Sequence, residues 1–328
     1  HPSCVPKRAN VINILSVEFL QFTVRAALFC CAATAAISPV FGSADTLESK
    51  RPNIVLLLAD DLGFADLGSY GSEINTPNID RLAASGMRFS NFHVAASCAP
   101  TRAMLMTGLD SHTAGVANIP EAIPEDQAHA PAYQGVLKTD IPTVAEMLQS
   151  VGYRTLMSGK WHLGFSDGEK PSERGFDRTF MLADTGADNW RQRSYLPIYA
   201  EANWFEDGEP TTLPENFYSS EYLVDKAIEY IGNRSQQPFF AYVAFQAVHI
   251  PVQAPAAFRD KYLQSYTGGW HDLRKARSEG LARTGVLPAV LEGREMPTTP
   301  AWQSLSTEQQ SFEARGMAVY AGMVDAMD

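Results

Sequence analysis

The chain has 328 residues, of which 45% are hydrophobic and 19% charged, with a formal net charge of −11. That length is enough to bury a full core, in one large domain or two smaller ones. The acidity argues against nucleic acid or an anionic membrane surface as the main partner, and an anionic substrate would need cations gathered locally.

Residues 1–44 read as an export leader. Lys7, Arg8 and Arg25 lie near the small-residue apolar run AALFCCAATAAISPVFGSA, which gives way to polar DTLESKRPN. Cleavage is expected near Ala44, since the run is short and interrupted for a membrane anchor. The mature protein is then exported, periplasmic or secreted, with no stable membrane partner. Removing Cys4, Cys30 and Cys31 with the leader leaves Cys98 alone. A solitary cysteine in an oxidising compartment is expected to be buried, reactive or chemically converted.

The first element is NIVLLLA (53–59), a continuous apolar run of the kind found in a strand buried on both faces of a parallel sheet. It ends on Asp60 and Asp61, adjacent carboxylates that suit a hard cation. TPNIDRLAASG then predicts a helix with Thr76 as N-cap, Pro77 at its first position and Gly86 as its stop. MRFSNFHVA alternates like a strand, with His93 read as core, and leads to Cys98. At Cys98 a helix is expected to begin, with Pro100 in its first turn and Gly108 beyond its end. His112, in DSHTAGV, reads as a supporting or structural residue.

Further along, IPTVAEMLQSVG predicts a helix closed by Gly152, and YRTLMSG a strand that delivers Lys160 and His162. SSEYLVDKAIEYIGN predicts an amphipathic helix, and PFFAYVAF a buried strand that releases His249. Such alternation indicates an α/β sheet with helices on both faces. Residues 164–214 and 262–300 read as loop insertions around a cleft, with 190–217 shaping the pocket. TEQQSFEARGMAVYAGMVDAMD predicts a last helix that runs to Asp328 without a stop signal.

Ligands of open α/β sheets gather at the carboxyl ends of the strands. The segments above bring Asp60, Asp61, Cys98, Arg102, Lys160, His162 and His249 to that edge. Each has a plain reading alone: the Asp pair as a turn or cap, Arg102 as helix surface, Lys160 as a solvated lysine, His249 as structural. Their convergence favours a site.

These residues carry a family resemblance. SCAPTRAMLMTG resembles the sulfatase signature, in which Cys-x-Pro-x-Arg marks a cysteine oxidised to Cα-formylglycine. GYRTLMSGKWH resembles the second signature of that family, and RPNIVLLLADDLG is similar to its first metal-binding strand. The resemblance runs from about Arg51 to the C-terminus and is nearest the bacterial arylsulfatases. It implies an alkaline-phosphatase-like fold, a mixed and mostly parallel sheet sandwiched by helices. It also implies that residues 45–328 are an N-terminal catalytic domain whose C-terminal part is missing, namely a strand with an Asp-Asn metal pair, a lysine and a smaller subdomain. A fragment of that kind is expected to be inactive alone.

What the resemblance implies for chemistry is specific. Asp60, Asp61 and residue 98 would hold Ca²⁺, with Mg²⁺ as the alternative. A formylglycine-generating enzyme would convert Cys98, and one oxygen of the hydrated aldehyde would attack the sulfur of an aryl, small-molecule or sugar sulfate ester. Lys160 and His249 would bind the sulfate, His249 helping to protonate the leaving oxygen. His162 would take the proton from the remaining hydroxyl, releasing sulfate, while Arg102 orients residue 98. A phosphate or phosphonate monoester hydrolase of the same superfamily, a non-catalytic truncated relative, and a cysteine hydrolase using Cys98 are the competing readings.

Overall fold

The computed structural model describes residues 51–232, 235–287 and 296–328, so the expected leader lies outside the described residues. Within them, one sheet contains β1 (Ile54–Leu58), β2 (Arg154–Lys160), β3 (Arg178–Leu182), β4 (Trp204–Glu206), β5 (Glu209–Pro210) and β6 (Phe239–Ala244). Their spatial order is β1-β6-β2-β3-β4-β5. The first four in that order run parallel, and β4 and β5 are antiparallel additions. The helices are α1 (Pro77–Ser85), α2 (Cys98–Thr107), α3 (Val144–Ser150), α4 (Ser219–Ile231), α5 (Ala256–Arg259), α6 (Gly269–Arg283) and α7 (Thr307–Met327). None is long and apolar enough to cross a membrane.

The pleat of β6 shows how the layers form. Phe240, Tyr242 and Ala244 join Met157 and Met181 of the neighbouring strands against Ala99, Ala103 and Met106 of α2. The alternate residue Ala241 faces the opposite way with Leu156, Phe180 and Leu182, against Leu223 and Tyr230 of α4. On that side Val243 and Phe245 meet Ala314, Ala318, Ala321 and Val324 of α7. Burial of each large side chain here is worth about 1.5–3 kcal/mol, which fixes the register of the parallel strands. The expected mixed, mostly parallel sheet between helices is what forms.

Three expectations need correction. β1 is not covered on both faces: among the described residues it is an edge strand, and Val55 and Leu57 are about half exposed. An apolar run specifies the residues, not the neighbour that covers them. Residues 87–94 do not form a strand, and Met87, Phe89, Phe92 and Val94 are exposed. Alternation alone is insufficient, because a strand needs a paired edge. His93 is accordingly exposed, not core, and its ring bonds to Asn91 Oδ1 at 2.6 Å. Finally, the supposed insertions contain β3, β4, β5 and α6. RTFML is short and follows a Gly-Phe-Asp turn, while α6 is charged on most sides, so neither shows a strong periodicity.

Candidate active site

Parallel pairing of β1, β6, β2 and β3 brings their carboxyl ends to one edge. Beyond the strands, Asp60 N–H donates to Ala247 O at 2.8 Å and Val248 N–H donates to Asp60 O at 2.7 Å. These bonds tie the Asp60–Asp61 turn to the segment that carries His249. On β2, Gly159 has φ +121°, and a Cβ there would lie 1.9 Å from Ala244 O. Only glycine lets β2 approach β6 closely enough to place Lys160 at the edge. The next residue, Trp161, is fully buried, donates its indole N–H to Glu169 O at 3.0 Å and bonds through its backbone N–H to Leu182 O. It pins the turn between Lys160 and His162. Helix α2 starts at Cys98 and stops at Gly108, whose left-handed φ of 70° lets its N–H reach Met104 O.

Asp60 is the centre of a buried charge network. Its Oδ1 lies 3.2 Å from Arg102 Nη2, and its Oδ2 accepts from the Lys160 ammonium. Arg102 Nη1 also donates to Lys160 O at 2.7 Å and to the Tyr242 hydroxyl at 3.2 Å. The side chains of all three charged residues are at most 4% exposed. Buried charge is tolerable only when paired, and here one carboxylate is shared between two cations. Burial by itself would raise the Asp60 carboxyl, but Arg102 and Lys160 outweigh it and hold it below its ordinary value.

Cys98 stands beside this network. Its Sγ lies 3.3 Å from His162 Nδ1 and 4.0 Å from Thr185 Oγ1. Burial opposes ionisation of the thiol, yet the His162 hydrogen bond and the Lys160 charge bring it down to about 7. The other nitrogen of the same ring, His162 Nε2, is 3.1 Å from Glu121 Oε2, and the Tyr199 hydroxyl donates to Glu121 Oε1 at 3.4 Å. His249 donates from Nδ1 to Ile250 O at 2.6 Å, leaving Nε2 3.8 Å from Asp61 Oδ2. Burial and the Lys160 charge push the His249 imidazole down. Its ring meets Tyr195 edge to face at 5.6 Å. Asp61 and His162 both have left-handed backbones, with φ of 62° and 56°. His112 occupies an exposed turn, 3.4 Å from Asp110 Oδ1 and edge-on to Tyr133.

With this geometry in place, comparison with known proteins is decisive. The family model described as Sulfatase matches residues 52–328. The chain belongs to the sulfatase family. Over 298 residues it is 40% identical to an uncharacterized sulfatase of Schizosaccharomyces pombe, covering 86% of this chain and 53% of that protein. It is 33% identical to an arylsulfatase of Klebsiella aerogenes, covering 90% of this chain and 64% of the relative. The chain thus spans between half and two thirds of the length of these sulfatases. Among solved structures, it is similar to the crystal structure of Ps i-CgsB in complex with k-i-k-neocarrahexaose. That match has a TM-score of 0.57 and 25% identity over 85% of this chain and 54% of the other. The fold is the alkaline-phosphatase-like one shared by such sulfatases.

Formylglycine and a divalent metal are typical of the sulfatase family. Asp60 and Asp61 are hard oxygen donors on consecutive residues, and Ca²⁺ takes roughly six to eight oxygens. Among the described residues, no group of three or more His, Cys, Asp or Glu assembles that could hold a metal ion. The pair matches a hard dication in donor type and would by itself supply only part of such a shell.

All seven residues expected at the strand ends lie along this edge or are linked to it by the contacts above. Sequence reasoning missed Glu121, Thr185, Tyr195 and Tyr199. Glu121 lies in NIPEAIPED, where prolines and neighbouring acids give it no distinguishing mark. The aromatic content of 190–217, read as pocket-shaping, was the one available signal for the two tyrosines.

Proposed function

We propose that the complete protein hydrolyses sulfate esters to an alcohol or phenol and inorganic sulfate, using residue 98 as nucleophile. The observation that carries this reading is the placement of Cys98, 3.3 Å from His162 Nδ1 and beside the buried Arg102–Asp60–Lys160 network. The buried Lys160 and Arg102 cations are suited to an anionic ester and to the charge that develops on its reacting oxygens. Cys98 Sγ marks the position of a hydroxyl oxygen in the converted residue. Cα-formylglycine, once hydrated, would supply a hard oxygen nucleophile where the thiol is soft; Asp60, Asp61 and residue 98 would hold a hard cation such as Ca²⁺, which would supply Lewis-acid charge for an anionic ester.

The chain's own residues divide the remaining work. Lys160 offers fixed positive charge to the ester. His249 Nε2, its Nδ1–H already committed to Ile250 O, faces the edge, and the ring would protonate the leaving oxygen from Nε2 only in its doubly protonated form. His162 Nδ1 is placed to accept a proton from the residue 98 hydroxyl. Arg102 holds Asp60 in place and orients residue 98 through its charge. Relatives named arylsulfatases favour an aryl sulfate, and the neighbour solved with neocarrahexaose favours a saccharide one. Export through the 1–44 leader, maturation by a formylglycine-generating enzyme and one catalytic domain from residue 45 onward complete the reading.

The test has two parts. Mass spectrometry of the Cys98 peptide, from protein made with a competent modifying enzyme, should show the cysteine-to-aldehyde mass change. The complete converted protein should then prefer an aryl sulfate to the matching phosphate and phosphonate. Unmodified cysteine, or a many-fold preference for phosphorus, would overturn the assignment.

A further inference from the structure

We propose that Glu121 is a positioning residue for His162: it fixes the imidazole as its Nε2–H tautomer and turns the bare Nδ1 toward residue 98. This rests on the sulfatase reading only for its kinetic consequence. The structural half stands on the geometry of three side chains.

An ionised carboxylate can only accept hydrogen bonds, so the proton in the Glu121–His162 contact, 3.1 Å long, belongs to Nε2. A neutral imidazole carries one ring proton. Nδ1 is then left with its lone pair, 3.3 Å from Cys98 Sγ, in the direction from which a hydroxyl proton would be taken. Without Glu121 the bond that holds the proton on Nε2 is lost, so the ring can turn about its broad, roughly two-fold torsion and the Nδ1–H form becomes populated beside the Nε2–H one.

Glu121 is itself well held. It lies in a single 3₁₀ turn, Pro120–Ala122, braced by Asn118, which donates from Nδ2 to Ala122 O at 3.0 Å and accepts at Oδ1 from Ile119 N–H at 2.9 Å. Tyr199 donates to its second oxygen at 3.4 Å. The Glu121 and His162 side chains are 8% and 2% exposed, so water competes little for their contact. Burial would raise the Glu121 carboxyl, but the His162 hydrogen bond outweighs it and the group stays below its ordinary range, ionised near neutrality. The arrangement is a carboxylate–imidazole–thiol line, in which a hydroxyl would replace the thiol after conversion and the carboxylate sets tautomer and orientation.

The primary experiment uses this chain with ¹⁵N-labelled histidines and Cys98→Ser, which places a hydroxyl at residue 98. Long-range ¹H–¹⁵N correlation at about pH 8, above the ordinary histidine range, reads the tautomer directly. The expected result is the Nε2–H form at His162, assigned by its loss in His162→Gln, and a mixture of forms when Glu121→Ala is added. Glu121→Met, which keeps the volume, gives the same mixture should Glu121→Ala not fold. An Nδ1–H parent, or a tautomer indifferent to both substitutions, overturns the proposal.

The second arm uses the complete, converted protein. Glu121→Ala should lower kcat about 10- to 100-fold with KM changed less than about 2-fold, and Glu121→Gln, whose carbonyl can still accept from Nε2–H, should recover part of it. An unchanged kcat with a raised KM overturns the positioning role. If the parent does not turn over any sulfate ester, the functional reading fails while the tautomer measurement still decides this one.

Discussion

Replacing Asp60 by Asn should destabilise the chain far more than replacing either of its partners, and the reason is charge balance. In the native site one carboxylate sits between two buried cations, 3.2 Å from Arg102 and in contact with Lys160. At 3.2 Å and an effective dielectric constant near 20, each attraction is of the order of 5 kcal/mol before desolvation is subtracted. Breaking a buried pair by removing one partner costs about 3–5 kcal/mol net, and Asp60→Asn removes the partner of both cations at once. Lys160→Met keeps the aliphatic stem and leaves Asp60 matched one to one with Arg102, so its cost should be about 1–2 kcal/mol, within the usual range of single substitutions. The double variant should be less damaging than the sum, because the second change removes one of the two unpaired cations. Urea unfolding followed by circular dichroism and tryptophan fluorescence, in the presence of a chelator, gives the midpoints and slopes for the comparison. The pH dependence has a definite sign. The folded Asp60 carboxyl lies below its ordinary 3.8, so its contribution is present above about pH 4 and fades as pH falls through the lower folded value. Lys160→Met proving as costly as Asp60→Asn, or strict additivity of the two, would refute the charge-balance argument.

Two further outcomes follow from the same edge. Cys98 in the unconverted chain should be alkylated by iodoacetamide with a midpoint near pH 7, read on its own peptide by mass spectrometry. Lys160→Met should move that midpoint upward, because the ammonium favours the thiolate; a downward or absent shift would contradict the proposed field. Gly159→Ala should cost more than about 4 kcal/mol or prevent soluble expression, because a methyl group would meet Ala244 O at 1.9 Å with a backbone already at φ +121°. Wild-type stability in that variant, measured by thermal unfolding, would show that β2 and β6 can separate there.

Much of the arrangement could be read from residues alone, for identifiable reasons. The runs in β2 and β6 were legible because strands enclosed by helices on both faces need apolar residues throughout. Cys98, Lys160 and His162 were legible because they sit inside long, distinctive segments whose order matches a known family. β1 was misjudged in its surroundings because its apolar sequence would look the same at an edge or in the centre. Residues 87–94 alternate correctly yet find no strand to pair with among the described residues, which no local pattern can reveal. β3 and α6 were hidden by brevity and by charge. Glu121 was illegible because its importance arises from the fold, which carries it across 41 residues of sequence to His162.

Two of the three non-glycine residues with positive φ among the described residues, Asp61 and His162, belong to the candidate site. A side chain in that conformation costs about 1–2 kcal/mol that glycine would avoid. Any optimisation of this chain for robustness alone would therefore be drawn to put glycine at both positions. It would arrive at a hardier scaffold stripped of a carboxylate and an imidazole, so these two angles mark where engineering for endurance should leave the chain untouched.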